Sequence, residues 1–423
     1  MFFFMLLYLV LVLIRPQDYP AMAEALPVPV LQVTLGLALV AWLASRAKSF
    51  AAPQYLLIGL FLVVLMVSKV VNGWAGGALV QLLKFGPIVA AFVILANAVT
   101  TPARIRTVMV VFVLCSTVLA IHGIDQVQTG IGWTGEPLSQ GTRIQYVGIF
   151  NDPNDLGLLF VMCLPMALYL SSRGGLLGLR RLFWWAAGGT LLYGIYLTNS
   201  RGALLALVTL VGAYVWQRRG LVSAAVFGGV GLVGLMLIPS RLSELDIDES
   251  SAMGRVDSWY EGIQMFIADP LFGIGADGFS DLHYLTAHNS FVLVLAETGI
   301  IGYTIWLAFV GYCFRMPLAV LRMQRQPADA AAASAWAAER KLALTLLLSL
   351  FGFFAAAFFL SRSYIILLYL LAAVVVGYYA GARQRYPDLP TFDLGKDLVL
   401  WPLVSVASIV FLYVLVKVML GLA

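Results

Sequence analysis

Residues 342–360, which read LALTLLLSLFGFFAAAFFL, contain no charged side chain and decide the fold class of this sequence. An α-helix needs about 20 consecutive, mostly apolar residues to cross a bilayer, so this run predicts a membrane span. The 423 residues are 61% hydrophobic and only 11% charged, whereas a soluble domain carries roughly 25% charged residues. The sequence therefore predicts an all-α polytopic membrane protein and excludes a soluble enzyme with a large core.

About thirteen apolar runs of this kind follow one another along the chain. They lie at 2–14, 26–45, 55–71, 79–99, 105–123, 156–171, 182–198, 203–217, 221–238, 290–314, 342–360, 364–381 and 399–420. Cytoplasmic loops of membrane proteins are rich in Lys and Arg. If the N-terminus is cytoplasmic, most of the 26 basic residues fall in inside loops and most acidic residues fall outside. The net charge of +5 is thus explained by topology and does not indicate nucleic-acid binding.

We expect three parts: transmembrane helices in 1–238, a large outer loop of short amphipathic helices in 239–289, and transmembrane helices in 290–423. A second long outer loop covers about 124–155, and long loops are where function concentrates. The first run, 2–14, could be a signal peptide, but no Lys or Arg precedes it, so we expect a retained helix. Cys115, Cys163 and Cys313 lie in apolar runs and indicate neither a redox compartment nor a metal site.

Polar residues cluster where four spans are expected to begin on the outer side. These segments are Asn151–Asp155, Thr198–Gly202, His288–Ser290 and Ser361–Ser363. Side-chain oxygens at such positions accept hydrogen bonds from the first free N–H groups of a helix. We expect Asn154 or Asp155 to cap the first of these helices, and Asn199 or Ser200 to cap the second.

Two of these segments carry an arginine on the side where topology disfavours cations. Arg201 and Arg362 each stand beside a helix N-terminus, whose positive dipole end favours an anion. Together the four segments suggest a shared polar cavity. The alternatives are that Arg201 binds carbonyl groups of its own loop, and that capping alone explains each segment.

The loop 239–289 has a pattern of its own. From Met253, apolar residues recur at helical spacing, which predicts an amphipathic helix on the outer membrane surface. Arg255 lies off the apolar stripe and could reach a phosphate at headgroup level; a surface ion pair with Asp257 or Glu261 is the alternative. Residues 273–278 match G-x-G-x-x-G, but a dinucleotide site needs a strand and a parallel sheet. We expect a tight turn that brings backbone close to backbone, or to an anion.

His288 is the best candidate for acid–base chemistry. It stands at a helix start, where the dipole disfavours the imidazolium, so we expect a lowered pKa and a neutral ring near pH 7. A capping or packing histidine is the alternative. Glu297 and Lys84 lie inside spans, where charged residues are paired or functional by default. For Glu297 we favour a structural partner. Lys84 either contacts a charged substrate or extends its amine towards the membrane surface. Gly299 and Gly302 share the His288 face, so we expect a neighbouring helix to pack closely there.

Ala287–Phe291, followed at the matching spacing by Gly299 and Gly302, resembles the signature of bacterial O-antigen ligases. Asn199–Gly202, Gly273–Phe279 and Asn151–Gly157 also resemble that family and its polymerase relatives. The resemblance runs from about 145 to 310. It covers ligases, repeat-unit polymerases and protein O-oligosaccharyltransferases alike.

The resemblance implies a GT-C-like glycosyltransferase that needs neither cofactor nor metal. It implies the bacterial inner membrane, with a cytoplasmic N-terminus and a periplasmic active site. The implied donor is a glycan on undecaprenyl pyrophosphate. The implied acceptor is a glycan hydroxyl, which in ligases belongs to the lipid A-core. Membrane lipids are expected as further partners, and nucleic acid is not expected as a partner. Arg201 and Arg255 would bind the pyrophosphate leaving group, and His288 would act as general base on the acceptor hydroxyl or orient it. The remaining candidates for substrate contact are Lys84, Asn151, Asp152, Asn154, Asn289 and Arg362.

A transporter of lipid-linked glycans is the alternative of a different class. Such a protein should carry polar or cationic residues along the full depth of its spans. Here Lys84 and Glu297 are the charged residues that lie within the spans away from their ends, and the remaining unexplained cations cluster at the outer ends. This distribution favours chemistry at the outer face.

Overall fold

The fold is all-helical in the residues that the computed structural model describes, which are 1–19, 22, 28–46, 48–172, 178–237, 245–326 and 328–422. Apart from short 3-10 turns, the non-helical structure of this part includes two isolated β-bridges in the loop after residue 130. The α-helices, numbered in chain order, are α1 Phe2–Ile14, α2 Val30–Leu43, α3 Pro53–Val71, α4 Gly76–Ala98, α5 Pro102–Thr129, α6 Pro153–Ser171, α7 Leu179–Leu197, α8 Arg201–Arg219, α9 Leu221–Leu237, α10 Leu245–Ala268, α11 Phe279–Leu282, α12 Ser290–Arg322, α13 Ala330–Ala357, α14 Ile366–Arg385 and α15 Leu400–Leu422.

A helix occupies each of the apolar runs found in the sequence. Eight of them, α3 to α6 and α12 to α15, are long and apolar enough to cross a membrane. The other five, α1, α2 and α7 to α9, are shorter or less apolar. The prediction of an all-α polytopic membrane protein is therefore confirmed.

Several helices extend further than their apolar runs because caps set their ends. Thr101 accepts a hydrogen bond from the Arg104 N–H, and Pro102 stands at the first position of α5. The helix then continues to Thr129 and ends at Gly130, whose φ of 81° is easily adopted only by glycine. Similarly, Asp329 caps α13 through the Ala332 N–H, so most of the Ala-rich stretch that precedes the apolar run is the beginning of the same helix.

The packing places α6 and α14 at the centre and α15 at the rim. Helix α6 packs against α5, α7, α8 and α13, and α14 packs against α4 and α12. Most side chains of α6 and α14 are buried, whereas most of α15 is exposed. A helix that is apolar all round but faces no protein is expected to face lipid, so α15 presents most of its surface to the bilayer.

Contacts between loops follow the two predicted sides. At one end, Arg385 forms an ion pair with Glu339 (Nη2–Oε1 2.8 Å) and donates to the Thr100 carbonyl (3.1 Å). At the other end, Asn72 donates to the Gly273 carbonyl (2.8 Å). In both cases the contacting residues lie in segments that the topology predicted from the sequence places on one side of the membrane. Which end faces the cytoplasm stays a prediction.

Candidate active site

The large outer loop contains one long helix, α10, and the single-turn helix α11. The apolar stripe of α10 is buried at Val256, Trp259 and Ile263, as its spacing predicts, while Met253 at its beginning is exposed. The buried face of α10 packs against α12 and α15. The stripe therefore covers neighbouring helices, and the prediction of a helix lying on the lipid surface is wrong for this face.

A glycine-containing turn, residues 269–278, follows α10 and runs beside α12. The Gly275 N–H donates to the Glu297 carbonyl (3.1 Å). Helix α12 is interrupted at Gly299, whose φ of 60° and ψ of −164° are not helical. A side chain on Gly273 or Gly299 would collide with backbone atoms of the facing segment. The glycines of the G-x-G-x-x-G pattern thus allow backbone to pack closely against backbone. This was one of the two expectations for the turn; the other was contact with an anion.

The break at Gly299 overturns the expected helical face. Sequence spacing places His288 and Gly299 on one face of a continuous helix, but the non-helical backbone at Gly299 changes that register. Leu271 of the turn, and not a neighbouring helix, contacts Gly299. The expectation of close helix packing holds for Gly302, because a Cβ there would lie 3.0 Å from Val64 of α3.

The start of α12 presents His288. Asn289 is the buried N-cap of the helix, and its Oδ1 accepts from the N–H groups of Phe291 (2.9 Å) and Val292 (3.1 Å). This gives Asn289 a structural role, and contact with substrate stays a prediction. His288 itself has a φ of 48°, in the left-handed region that few non-glycine residues adopt. Such strained residues cluster at functional sites.

Burial and nearby positive charges favour the neutral imidazole of His288. Burial lowers the pKa of His288 below its usual value, and the positive charge of Arg255 lowers it further. Asp152 raises this pKa, whereas Arg362 and His283 lower it. The direction agrees with the sequence-based prediction, although burial is the largest cause. A neutral ring can accept a proton at pH 7, as a general base must.

The segment Phe358–Ser363, called the outer linker below, leads from α13 towards α14 and holds the start of α12. The Ser290 hydroxyl donates to the Leu360 carbonyl (2.6 Å) and accepts from the Arg362 N–H (2.9 Å). The Ser363 hydroxyl donates to the Ser290 carbonyl (2.7 Å). These three bonds fix the backbone directly after His288.

The outer linker also contacts the helices that carry Arg201 and Arg255. A Cβ on Gly202 of α8 would lie 3.3 Å from the Phe359 Cβ, so the start of α8 touches the linker. The Phe359 ring centroid lies 6.5 Å from that of Trp259 in α10. Arg201 neighbours Gly202 in sequence, and Arg255 lies one helical turn before Trp259. The elements bearing the predicted catalytic residues therefore converge on one segment.

The start of α6 is capped by Asp152, whose Oδ1 accepts from the Asn154 N–H (2.9 Å). The predicted caps, Asn154 and Asp155, are wrong by two or three positions. Pro153 explains the difference, because proline favours the first helical position, where its missing N–H costs nothing. The residue before it is then the cap.

Asn154 instead joins the start of α6 to the start of α8. Its Oδ1 accepts from the Ser200 hydroxyl (2.7 Å) and from the Arg143 guanidinium (3.0 Å). Ser200 caps α8 through the Ala203 N–H (3.2 Å), as predicted. Arg143 also donates to the Thr198 carbonyl (2.9 Å). The side chain of Asn154 is thus engaged in structural contacts, while a substrate contact stays a prediction.

Arg362 forms a two-pronged ion pair with Asp155. Its Nε and Nη2 donate to the two carboxylate oxygens, the latter at 2.7 Å, and Asp152 lies 3.6 Å from Nη2. The Asp155 side chain is only 4% exposed, and breaking such a buried pair costs about 3–5 kcal/mol. The prediction of a capped helix start at Ser361–Ser363 is wrong, because α14 begins at Ile366 without a side-chain cap. Arg362 holds the linker to α6.

A cavity of about 420 Å³ opens between the start of α6 and the outer linker. Asn151 and Asp152 line one side of it, and Arg362 and Tyr364 line the other. Two of its lining residues contact the segment that carries His288: the Ser361 hydroxyl accepts from Thr286 (2.8 Å), and the Arg362 N–H donates to Ser290 (2.9 Å). Two of the four segments expected to share a polar cavity, Asn151–Asp155 and Ser361–Ser363, contribute to its lining. Arg201 and His288 do not line it, so a cavity common to all four segments stays a prediction.

Lys84 lies apart from this cavity, in an ion pair with Asp277 of the glycine-containing turn (Nζ–Oδ1 2.7 Å). Gln81 donates to the other oxygen of Asp277 (2.7 Å). Although burial opposes it, the hydrogen bonds from Lys84 and Gln81 hold the pKa of Asp277 below its usual value. Lys84 therefore ties α4 to the turn, and its predicted contact with substrate stays untested.

Glu297 has a structural partner, as the sequence favours. Its buried Oε1 accepts from the Phe279 N–H (3.2 Å), which anchors the beginning of α11 to α12. The sequence did not single out Tyr364, Arg143 or the pairing of Asp155 with Arg362. The sequence did contain a signal for this ion pair. A cation on the outer side, where Lys and Arg are disfavoured, needs a carboxylate partner, and the Asp152–Asp155 cluster is predicted on the same side.

The arrangement defines a class of protein: a polytopic membrane protein in which several helix starts, a polar cavity and a histidine with a lowered pKa lie at one end. Among the described residues, no group of three His, Cys, Asp or Glu side chains could hold a metal ion.

Comparison with known proteins relates the region around this site to a known family. Residues 186–307 match the family model described as O-antigen ligase. A curated relative, the exopolysaccharide production protein ExoQ of Rhizobium meliloti (strain 1021), is 29% identical over 37% of this chain and 43% of its own length. This chain thus spans less than half of that relative. The resemblance to the O-antigen ligase and polymerase superfamily is confirmed, and the matched region contains Arg201, Arg255 and His288.

Proposed function

We propose that this protein transfers a glycan from undecaprenyl pyrophosphate to a sugar hydroxyl at the periplasmic face of the bacterial inner membrane. The acceptor that we favour is a sugar hydroxyl of the lipid A-core, as in O-antigen ligases. The observation that carries this proposal is the convergence of the starts of α8 and α12 with α10 on the outer linker, beside a neutral histidine.

The proposed reaction is a single displacement at the anomeric carbon of the donor. The acceptor oxygen forms a bond to that carbon while the bond from the carbon to the pyrophosphate oxygen breaks. Pyrophosphate leaves with the electron pair, and its developing charge is stabilised by Arg201 and Arg255. His288 takes the proton of the acceptor hydroxyl.

Substitution of the three proposed catalytic residues tests this assignment. His288→Ala should lower transfer by about 10²–10⁴-fold, the usual contribution of a general base. Arg201→Ala and Arg255→Ala should each lower it by about 10²–10³-fold, the usual contribution of one donor to a developing anion. Transfer is measured with purified, monodisperse protein in nanodiscs supplied with lipid-linked glycan.

The matched control is Arg180→Ala. Arg180 is exposed at the beginning of α7, at the end of the helix away from the candidate site, and its loss should leave transfer unchanged. Undiminished transfer by both His288→Ala and Arg201→Ala contradicts the proposed site. Donor lipid that crosses vesicle membranes without being consumed supports a transporter instead.

A repeat-unit polymerase is the second candidate, and the relative named as an exopolysaccharide production protein favours it. A protein O-oligosaccharyltransferase shares the same signature. Reconstitution separates these candidates. Chains that lengthen with donor alone indicate a polymerase, products that need lipid A-core indicate a ligase, and glycosylated polypeptide indicates the third activity.

A further inference from the structure

The cavity beside the outer linker has a volume typical of a ligand site. Its 420 Å³ lies within the range of about 300–1,000 Å³ found for small-molecule pockets. Its walls mix apolar groups, such as Ile149 and the ring of Tyr364, with the polar groups of Asn151, Asp152 and Arg362. Such a lining suits a ligand that has both apolar faces and hydroxyl groups.

The charges in this cavity disfavour a diphosphate. Arg362 is the lining residue with positive charge, and both oxygens of Asp155 already accept hydrogen bonds from it. Asp152 then leaves one formal negative charge in excess, and its side chain is 38% exposed. A like charge placed next to this carboxylate would be repelled in the partly desolvated cavity. The cavity is therefore unsuited to the group that Arg201 and Arg255 are proposed to bind.

The polar groups match the hydroxyl groups of a sugar. Asp152 uses Oδ1 for Asn154, while Oδ2 has the longer 3.6 Å contact to Arg362. Oδ2 can therefore accept a hydrogen bond from a ligand hydroxyl, and Asn151 can donate or accept one. Sugar hydroxyls both donate and accept, so they satisfy these groups without adding charge.

We infer that this cavity binds an uncharged sugar ring of the acceptor, whereas the donor diphosphate binds beside Arg255. This inference rests on the proposed function, because it assigns the acceptor subsite of the same reaction. Its lining residues Ser361 and Arg362 bond to Thr286 and Ser290, which stand two residues on either side of His288. A ring held in the cavity is therefore positioned to present a hydroxyl towards the imidazole. Asp152 then selects a neutral acceptor ring over a phosphorylated one.

Site-directed labelling of the full-length protein tests the inference without requiring transfer. Ile149→Cys places a thiol in the cavity wall, and the three native cysteines are buried, so they should label slowly. Labelling by a maleimide is followed in nanodiscs with a panel of neutral di- and tetrasaccharides of glucose, galactose and mannose. At least one saccharide should slow labelling of the cavity thiol five-fold or more, and inorganic pyrophosphate should not.

A second substitution assigns the protection to Asp152. In the Ile149→Cys protein, Asp152→Asn should raise the half-protecting saccharide concentration at least five-fold. Asp281→Asn is the matched control: Asp281 is an exposed carboxylate that does not line the cavity, and its loss should change nothing.

The outcomes separate this inference from the proposed function. Protection by pyrophosphate but by no saccharide, or protection by neither, overturns the subsite. Protection that Asp152→Asn leaves unchanged overturns the role of Asp152. If saccharides protect but no glycan transfer is ever observed, the proposed function fails while the sugar subsite stands.

Discussion

At the scale of single residues, His288 combines a strained backbone with a controlled charge. Its backbone is left-handed, the next residue, Asn289, caps α12, and Ser290 bonds to the outer linker. Burial and Arg255 keep the ring uncharged. The strain and the neutral state serve the same end, because a general base must be both placed and unprotonated before the acceptor arrives.

The pH dependence of transfer should report the charges around His288. Since its pKa lies below the usual 6.5, we expect transfer to be constant from pH 7 to 8 and to fall on acidification as the ring takes up a proton. Arg255→Gln removes a charge that lowers this pKa, so the acidic limb should move to higher pH. Asp152→Asn removes a charge that raises it, so the limb should move to lower pH. The measurement is kcat/KM as a function of pH.

Shifts in these opposite directions cannot come from a general loss of binding, which lowers kcat/KM equally at every pH. An acidic limb at the same pH in both variants would contradict the assignment of His288 as the titrating base.

Arg201 and Arg362 show how much the sequence can say about a single cation. Topology marks both as unusual on the outer side, and that inference needs no structure. The sequence alone does not show that Arg362 forms an ion pair with Asp155, which lies 207 residues away in the chain. Both arginines follow a serine at the predicted outer start of a span, but their roles differ. Arg362 is neutralised by carboxylates and joins helices, while Arg201 is the proposed partner of an anion.

At the scale of elements, the decisive feature is the interruption of α12. The turn after α10 lies against this break with backbone hydrogen bonds, including Ile300 N–H to the Pro270 carbonyl (2.8 Å). The break leaves polar backbone groups without helical partners, and the turn supplies them. This contact fixes α10, and with it Arg255, relative to the start of α12.

Gly299→Ala should test the importance of this contact. The φ of 60° and ψ of −164° lie in a region essentially confined to glycine, and a Cβ would also collide with Leu271. Conformations of this kind cost about 1–3 kcal/mol for other residues. We expect a clear fall in the thermal unfolding midpoint, followed by intrinsic tryptophan fluorescence, and a loss of transfer because α10 is displaced.

Gly59→Ala is the matched control for this substitution. Gly59 lies within α3 with no atom within 4 Å of an added Cβ, and alanine is about 1 kcal/mol better than glycine in a helix. The control should be as stable as the parent or slightly more stable. A Gly299→Ala protein that matches the parent in both measurements would show that the break is not required.

The helices were predictable because length and apolarity alone specify a span, as at 342–360. The cap of α8 was predictable to within two neighbouring residues, Asn199 and Ser200, and the structure shows that Ser200 is the cap. The break at Gly299 was not, because a glycine in an apolar run reads equally well as a helix-packing position. The outer linker was missed for a similar reason: Phe358 and Phe359 look like the end of a span, and only the three-dimensional packing shows that they touch α8 and α10.

At the scale of the whole molecule, the two ends differ in what holds them together. The end with Arg385 has an ion pair to the buried Glu339 and a bond to a loop carbonyl, and both contacts join helices. The other end carries the 420 Å³ cavity, His288 and the converging helix starts. If this cavity is the proposed site, substrate has to be delivered to one face of the membrane.

The orientation of the molecule decides whether the proposed donor can reach the site. If the N-terminus is cytoplasmic, Tyr284 faces the periplasm and Gln324 faces the cytoplasm. Both side chains are exposed, and the native cysteines are buried. In intact cells whose outer membrane has been made permeable, a membrane-impermeant maleimide should label Tyr284→Cys and leave Gln324→Cys unlabelled until the inner membrane is opened. The reverse pattern would place the cavity in the cytoplasm, where no flipped lipid-linked glycan is present, and the periplasmic reaction would have to be abandoned.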